Sequence, residues 1–170
     1  NYDIKNLPER TSKPRQYGFT MAMDKGLSIR EAEDFVSLSA NHVDIVKLGW
    51  GTSYVTPNLK AKLQVYKDAG LPVYFGGTLF EAFVIRDQFD EYRKILDKFE
   101  MSFAEVSDGS MDIDHDKKCD YITKLSEQVT VLSEVGSKDA DKIIPPYMWI
   151  ELMQKELDYL GGAITNPKRP

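Results

Sequence analysis

The chain has 170 residues, 42% of them hydrophobic and 29% charged, with a formal net charge of −5; this suits one globular domain with a sizeable core and excludes a disordered chain. A net negative charge argues against a nucleic-acid surface, which needs a basic face, and no apolar run approaches the ~18 residues of a membrane span. The single cysteine, Cys119, makes no internal disulfide and no thiolate metal cluster, and the opening NYDIKNLPER has neither signal-peptide nor transit-peptide character, so cytoplasm is the expected location.

Residues 1–16 read as an extended polar lead-in, broken at Pro8 and Pro14 and basic at Arg10, Lys13 and Arg15. A first strand is predicted over 17–23 (YGFTMAM), stopping at DKG. Ser28 with Glu31 three residues on forms a capping box that opens a helix through Ala40. The second strand begins VDIVKL at Val43; its apolar Val43, Ile45, Val46 and Leu48 suit a strand covered on both faces. Asp44 and Lys47 on it must therefore find partners to be buried. The turn GWGT follows, and Thr56 with Pro57 opens a helix carrying Leu59, Leu63, Val65 and Tyr66 to a stop at Gly70.

The third strand, LPVYF, ends in GGT at 76–78. A helical region over 79–100 carries Phe89, Tyr92, Ile95, Leu96 and Phe99 near the 3.6-residue period, with a break near Arg86 or Asp87. SFAEVS is the fourth strand and ends in DGS. Asp114 caps a helix to about Glu127, VTVLSEV is the fifth strand, and GSK closes it at 136–138. After Pro145 and Pro146 a last helix runs from Tyr147 to Leu160, and GGAITNPKRP reads as a linker-like end. Strand and helix alternate five times, which implies a parallel sheet with right-handed crossovers. Two α/β architectures fit: an open five-stranded doubly wound sheet, or about five units of a (β/α)8 barrel, whose whole takes about 250 residues.

In both, ligands bind at the carboxyl ends of the strands. Alternation along the strands sets Lys47 with Val43 and Ile45, Glu105 with Phe103 and Ser107, and Glu134 with Leu132. If those faces point into a barrel, one cation and two carboxylates meet near its mouth; a self-satisfied ion network and plain surface exposure are the alternatives. Carboxylates without a histidine or cysteine cluster suit Mg2+ better than Zn2+. Glu81 can add a ligand from the first turn of a helix, although the helix dipole alone accounts for an acid there. Lys138, on the loop after a buried strand, can donate a proton or hold a phosphate; an exposed inert lysine is the plainer reading. His42 and His115 read as surface or capping residues, and Trp50 and Tyr54 as packing. Asp112, Asp114 and Asp116 alternate like a calcium loop without its glycine and distal glutamate.

The segments KPRQYGFTMAMDKG, VDIVKLGWGTS, GLPVYFGGTLFE, AEVSDGS and LSEVGSK, in that order, resemble the phosphosulfolactate synthase family over roughly residues 11–140. A plant heat-stress-associated protein is similar to the same family. The resemblance implies a (β/α)8 barrel that adds sulfite to phosphoenolpyruvate in a Mg2+-dependent reaction, giving (2R)-phospho-3-sulfolactate on the way to coenzyme M or sulfolactate. It implies Lys138 as the proton donor and Lys47 as a catalytic partner for substrate anions. Gly51 and Thr52 of GWGTS and Gly77 and Thr78 of GGTLFE would bind substrate, and Glu105, Glu134 and Glu81 would hold the metal. Lys13 and Arg15 would reach the phosphate or be solvated, the latter preferred.

Family members continue into a sixth strand with an EARESG-like segment. Here the match fades from about Pro145, so residues 1–170 are expected to form a single, incomplete barrel-type domain. Expected partners are the small-molecule substrates, with neither nucleic acid nor membrane; a homo-oligomer would cover the open edges of strands 1 and 5. The alternatives are a non-catalytic, stress-related or scaffold homologue, and another phosphoenolpyruvate or enolate enzyme of the barrel class.

Overall fold

A computed structural model describes residues 3–160 and the backbone of 165–167. Strands β1 (Met21–Asp24), β2 (Ile45–Leu48), β3 (Val73–Phe75), β4 (Phe103–Ser107), β5 (Thr130–Val135) and β6 (Thr165–Pro167) form one sheet in chain order. Every neighbouring pair is parallel. A doubly wound sheet reverses its strand order where its halves meet. This order runs one way throughout, so the doubly wound alternative falls. The strands begin up to four residues later than the sequence suggests, because tyrosine and glycine before Met21 lie outside the ladder. The end at 161–170 is not wholly a linker: Thr165, Asn166 and Pro167 pair with Ser133, Glu134 and Val135. β5 is therefore not an edge, and the remaining residues of that segment lie outside the described ones.

Helix α1 (Ile29–Ser39) opens with the reciprocal Ser28–Glu31 capping box. The GWGT turn is tighter than a loop: Gly49–Gly51 make a single 3-10 turn with Trp50 at φ 54° and Gly51 at φ 69°, leading into the one-turn helix α2 (Thr52–Val55). The hydroxyl of Thr56 turns back onto Thr52 O at 2.8 Å, and α3 (Leu59–Asp68) starts instead at Asn58, whose φ of 52° makes the corner. The long helical region divides into α4 (Gly77–Val84) and α5 (Phe89–Lys98), with Asp87 at φ 55° in the break. Asp114 caps α6 (His115–Ser126), accepting from the Lys117 amide at 3.1 Å. The last helix is α7 (Pro146–Leu160).

Strand register sorts side chains by face. Leu48, Phe75, Ala104 and Val131 stand level across β2 to β5 and join Leu63, Tyr66, Phe80, Tyr92, Leu96 and Ile122 of the helices in the core. Two-residue periodicity then sends Met23, Lys47, Tyr74, Glu105, Ser107, Leu132 and Glu134 to the opposite face. Burying so polar a row requires its members to satisfy one another.

Asp44, just before β2, is answered from the lead-in. Arg15 Nη1 lies 2.5 Å from its Oδ1, and the Thr20 amide donates to Oδ2 at 2.8 Å. Burial pushes the Asp44 carboxyl up, but the bonds from Thr20 and Arg15 outweigh it and hold the group below its ordinary value. Lys13 Nζ donates to Ala40 O at 2.6 Å. These contacts fix Lys13 and Arg15 at the amino ends of the strands, away from the loops at their carboxyl ends, and Arg15 is buried rather than solvated.

Candidate active site

The floor of the site is a charge pair on the polar face. Lys47 Nζ lies 2.6 Å from Glu105 Oε1, and the two residues are 7% and 3% exposed. The Gly77 amide, at the start of α4, donates to the same oxygen at 2.8 Å, so the helix N-terminus favours the carboxylate. Tyr74, level with Lys47 on the next strand, donates to Glu105 Oε2 at 3.3 Å. Burial, followed by the charge of Glu105, raises the Tyr74 phenol far above its ordinary value, so it remains a donor. Gly77 is required at its position, because a Cβ there would stand 2.3 Å from Ser107 Oγ and 2.6 Å from Ser107 Cβ. A Cβ on Gly76 would stand 2.8 Å from Lys47 Cε.

Glu81 rises beside this pair from the second turn of α4 rather than its first, and is buried. Its Oε1 accepts from the Ser107 hydroxyl and from the Ser110 amide at 3.4 Å, whereas its buried Oε2 has no hydrogen-bond partner. Above it, Lys138 Nζ donates to Ser110 Oγ at 2.7 Å and to Thr78 Oγ1 at 3.4 Å. The Lys138 amide donates to Gly109 O at 2.8 Å, stitching the loop after β5 to the loop after β4. Gly136, at φ 128°, makes the turn that carries Lys138 there.

The structure thus brings together Lys47 with Glu105, and Lys138 with Thr78, with Gly77 and Glu81 between them. Glu134 stands level with Ser107 on the neighbouring strand. Among the described residues, no three histidine, cysteine, aspartate or glutamate side chains are grouped to hold a metal ion; Glu105 is drawn to Lys47, and Glu81 to the serines. Thr52 spends its hydroxyl on Gly49 O at 2.8 Å, inside its own turn, while Gly51 and Thr78 share a cleft with Trp50, Tyr54 and Arg86. Trp50 and Tyr54 are not packing residues: they are 61% and 84% exposed, and Lys25 Nζ sits 4.6 Å from the Trp50 ring centroid.

Two residues escape the sequence reading, Tyr74 and Ser110, and Ser107 is set on the Glu105 face there without a role. Alternation could have found Tyr74, two residues before Gly76 as Lys47 is two before Gly49, and the SDGS loop contains both serines.

The other buried charges are structural. Asp24 ends β1 beneath Lys62 Nζ at 2.7 Å and Tyr66 OH at 2.8 Å, and also accepts from the Gly26 and Leu27 amides. Burial pushes its carboxyl up, but these bonds prevail and hold it below the ordinary value. Lys118 joins Glu156 at 2.8 Å and Asp108 at 3.0 Å, tying α6 to α7. His115 is half-buried there, 3.8 Å from Glu156, rather than on the surface.

The model of the family described as (2R)-phospho-3-sulfolactate synthase (ComA) matches residues 8–164. The chain belongs to that family. The match runs well past Pro145, through α7, where the sequence motifs fade. Among curated relatives, the phosphosulfolactate synthase of Bacillus subtilis (strain 168) is 37% identical over 135 residues, 79% of this chain and 54% of its own length. That of Methanothermobacter thermautotrophicus is 35% identical over 155 residues, 88% of this chain and 60% of its own length. That of Methanocaldococcus jannaschii is 38% identical over 148 residues, 84% of this chain and 59% of its own length. The chain therefore spans between half and two thirds of these phosphosulfolactate synthases. No helix among the described residues is long and apolar enough to cross a membrane.

Proposed function

We propose that this member of the phosphosulfolactate synthase family catalyses the addition of sulfite to phosphoenolpyruvate to give (2R)-phospho-3-sulfolactate, and that its sheet is part of a (β/α)8 barrel. The observation that carries the reaction is Lys138, an ammonium held by two hydroxyls at the carboxyl ends of β3 to β5. The one-way strand order and the charged row on the face away from the core support the barrel, whose interior such a face would line.

The sulfite sulfur donates its lone pair to the methylene carbon of phosphoenolpyruvate. The carbon–carbon π pair then moves toward the carboxylate as an enediolate. The middle carbon takes a proton from the Lys138 ammonium, whose N–H electron pair stays on nitrogen, and the amine regains a proton from solvent. Lys47, on the floor, offers its remaining N–H donors to the substrate anions, and its partner Glu105 fixes where they sit.

A hard cation fits this set at one or two carboxylates. Mg2+ takes oxygen ligands and leaves several positions to water and substrate. Glu81, whose Oε2 is buried and unpartnered, would hold it together with Glu134. When bound, the ion supplies positive charge where the enediolate develops.

The test is incubation of the folded chain with phosphoenolpyruvate, sulfite and Mg2+, followed by phosphorus NMR and mass spectrometry. A new phosphate ester bearing a sulfonate is expected; its absence overturns the reading.

A further inference from the structure

Lys138 is exposed, on a loop, and carries four rotatable carbons, yet a proton donor must meet one carbon from one side. An ammonium has three N–H donors. In this chain two are engaged, by Ser110 Oγ at 2.7 Å and Thr78 Oγ1 at 3.4 Å, which leaves the third for a reacting atom. Both acceptors are neutral, so they orient the ammonium without cancelling its charge.

Ser110 is itself held from two directions. Its amide donates to Glu81 Oε1 at 3.4 Å, an oxygen also bound by the Ser107 hydroxyl. The preceding residue, Gly109, accepts the Lys138 amide at 2.8 Å. The backbone of Lys138 and its ammonium are thus fastened to consecutive residues of the same loop, and that loop is fastened to a buried carboxylate.

We propose that Ser110 is a positioning residue for Lys138: its hydroxyl, pinned through Glu81 and Gly109, sets the direction of the third N–H and so the face of the carbon that is protonated. The proposal rests on the reading of Lys138 as proton donor given above. Ser110 touches no substrate atom in this scheme. Its effect falls on the proton-transfer step, not on substrate binding.

The test uses the full chain with Ser110→Ala and Ser110→Thr, the latter restoring a hydroxyl. With phosphoenolpyruvate, sulfite and Mg2+, Ser110→Ala is expected to lower kcat by about tenfold to a hundredfold, the cost of a misaligned donor, with KM within about twofold. The solvent isotope effect on kcat should rise as proton transfer becomes slower, and Ser110→Thr should recover most of the rate. A second readout needs no turnover. In nitrogen-15 NMR of labelled lysine side chains, with Lys138 assigned from a Lys138→Arg variant, Ser110→Ala should speed ammonium hydrogen exchange by roughly fivefold, equivalent to one ordinary hydrogen bond. Unchanged exchange together with an unchanged kcat overturns the proposal. If the wild type makes no product, the reaction assigned above is what falls, and the exchange rate alone then decides for or against the cradle.

Discussion

Replacing Glu105 by glutamine tests the floor of the site. The variant keeps the shape of the side chain and an oxygen for the Gly77 amide, but leaves the Lys47 ammonium, now 2.6 Å from its counter-ion, buried beside a neutral amide. Removing one member of a buried pair costs about 3–5 kcal/mol, most of it the penalty on the abandoned charge. Because glutamine still accepts a hydrogen bond, the lower figure applies, about 3 kcal/mol, which is a fall in Tm of about 6–12 °C for a domain of this size. Lys47→Met alone should cost less, about 2 kcal/mol, since Gly77 and Tyr74 still donate to the carboxylate. The double variant removes both charges, and its loss should fall short of the sum by about 2 kcal/mol. The measurement is urea unfolding followed by tryptophan fluorescence near neutral pH, with equal slopes across the set. Additivity within about 0.5 kcal/mol would refute the pair as the reason these charges tolerate burial.

Lys138→Met should lower turnover by about a hundredfold or more, the usual contribution of a general acid, and leave urea unfolding unchanged because the side chain is exposed. Gly77→Ala should destabilise the fold by about 1–3 kcal/mol, because the added methyl meets Ser107 and Glu105; retained stability and activity would count against the close packing of α4 on β4. Burial disfavours the His115 imidazolium and holds its pKa below the ordinary 6.5, with Lys118 and Lys155 adding to the effect and Glu156 and Asp108 opposing it. The unfolded chain then binds the proton more tightly than the folded one, so His115 costs no stability above pH 6.5 and an increasing amount as pH falls below it. His115→Gln should flatten that part of the stability curve, as read by urea midpoints measured across pH.

The alternation of strand and helix was plain in the sequence because each strand is short, apolar and closed by glycine. The break in the long helix was visible at Arg86 and Asp87 for a different reason: no apolar residue continues the period there. Boundaries were less legible. Thr56 and Pro57 look like a helix start, but the tight turn of Trp50 and Gly51 requires an extra helical turn first, and that moves the start to Asn58. The lead-in misled for a related reason. Its basic residues suggest a bound anion, yet Arg15 is spent on Asp44 and Lys13 on the Ala40 carbonyl; the need of Asp44 for a counter-ion was recognised without knowing which end of the sheet would supply it. Trp50 and Tyr54 misled because aromatic residues are usually buried, and nothing local marks the left-handed turn that turns them outward.

Of the candidate site, single residues were legible and their pairing was not. Lys47 and Glu105 are 58 residues apart in sequence, and only the β2–β3–β4 order lets one long lysine reach across the intervening strand to the other. That pairing divides the acids by role. A carboxylate that already accepts from an ammonium, an amide and a phenol has few acceptor sites left to offer a cation. Glu81 differs: one oxygen holds the loop of Ser107 and Ser110, and the other is buried without a partner. An unpartnered carboxylate oxygen in such a place is costly in an apolar setting, which makes Glu81 the acid with most to gain from a ligand. The same side chain therefore connects the two layers of the site. If Glu81 holds a cation as proposed, that ion would sit one carboxylate away from Ser110, the residue whose hydroxyl holds Lys138.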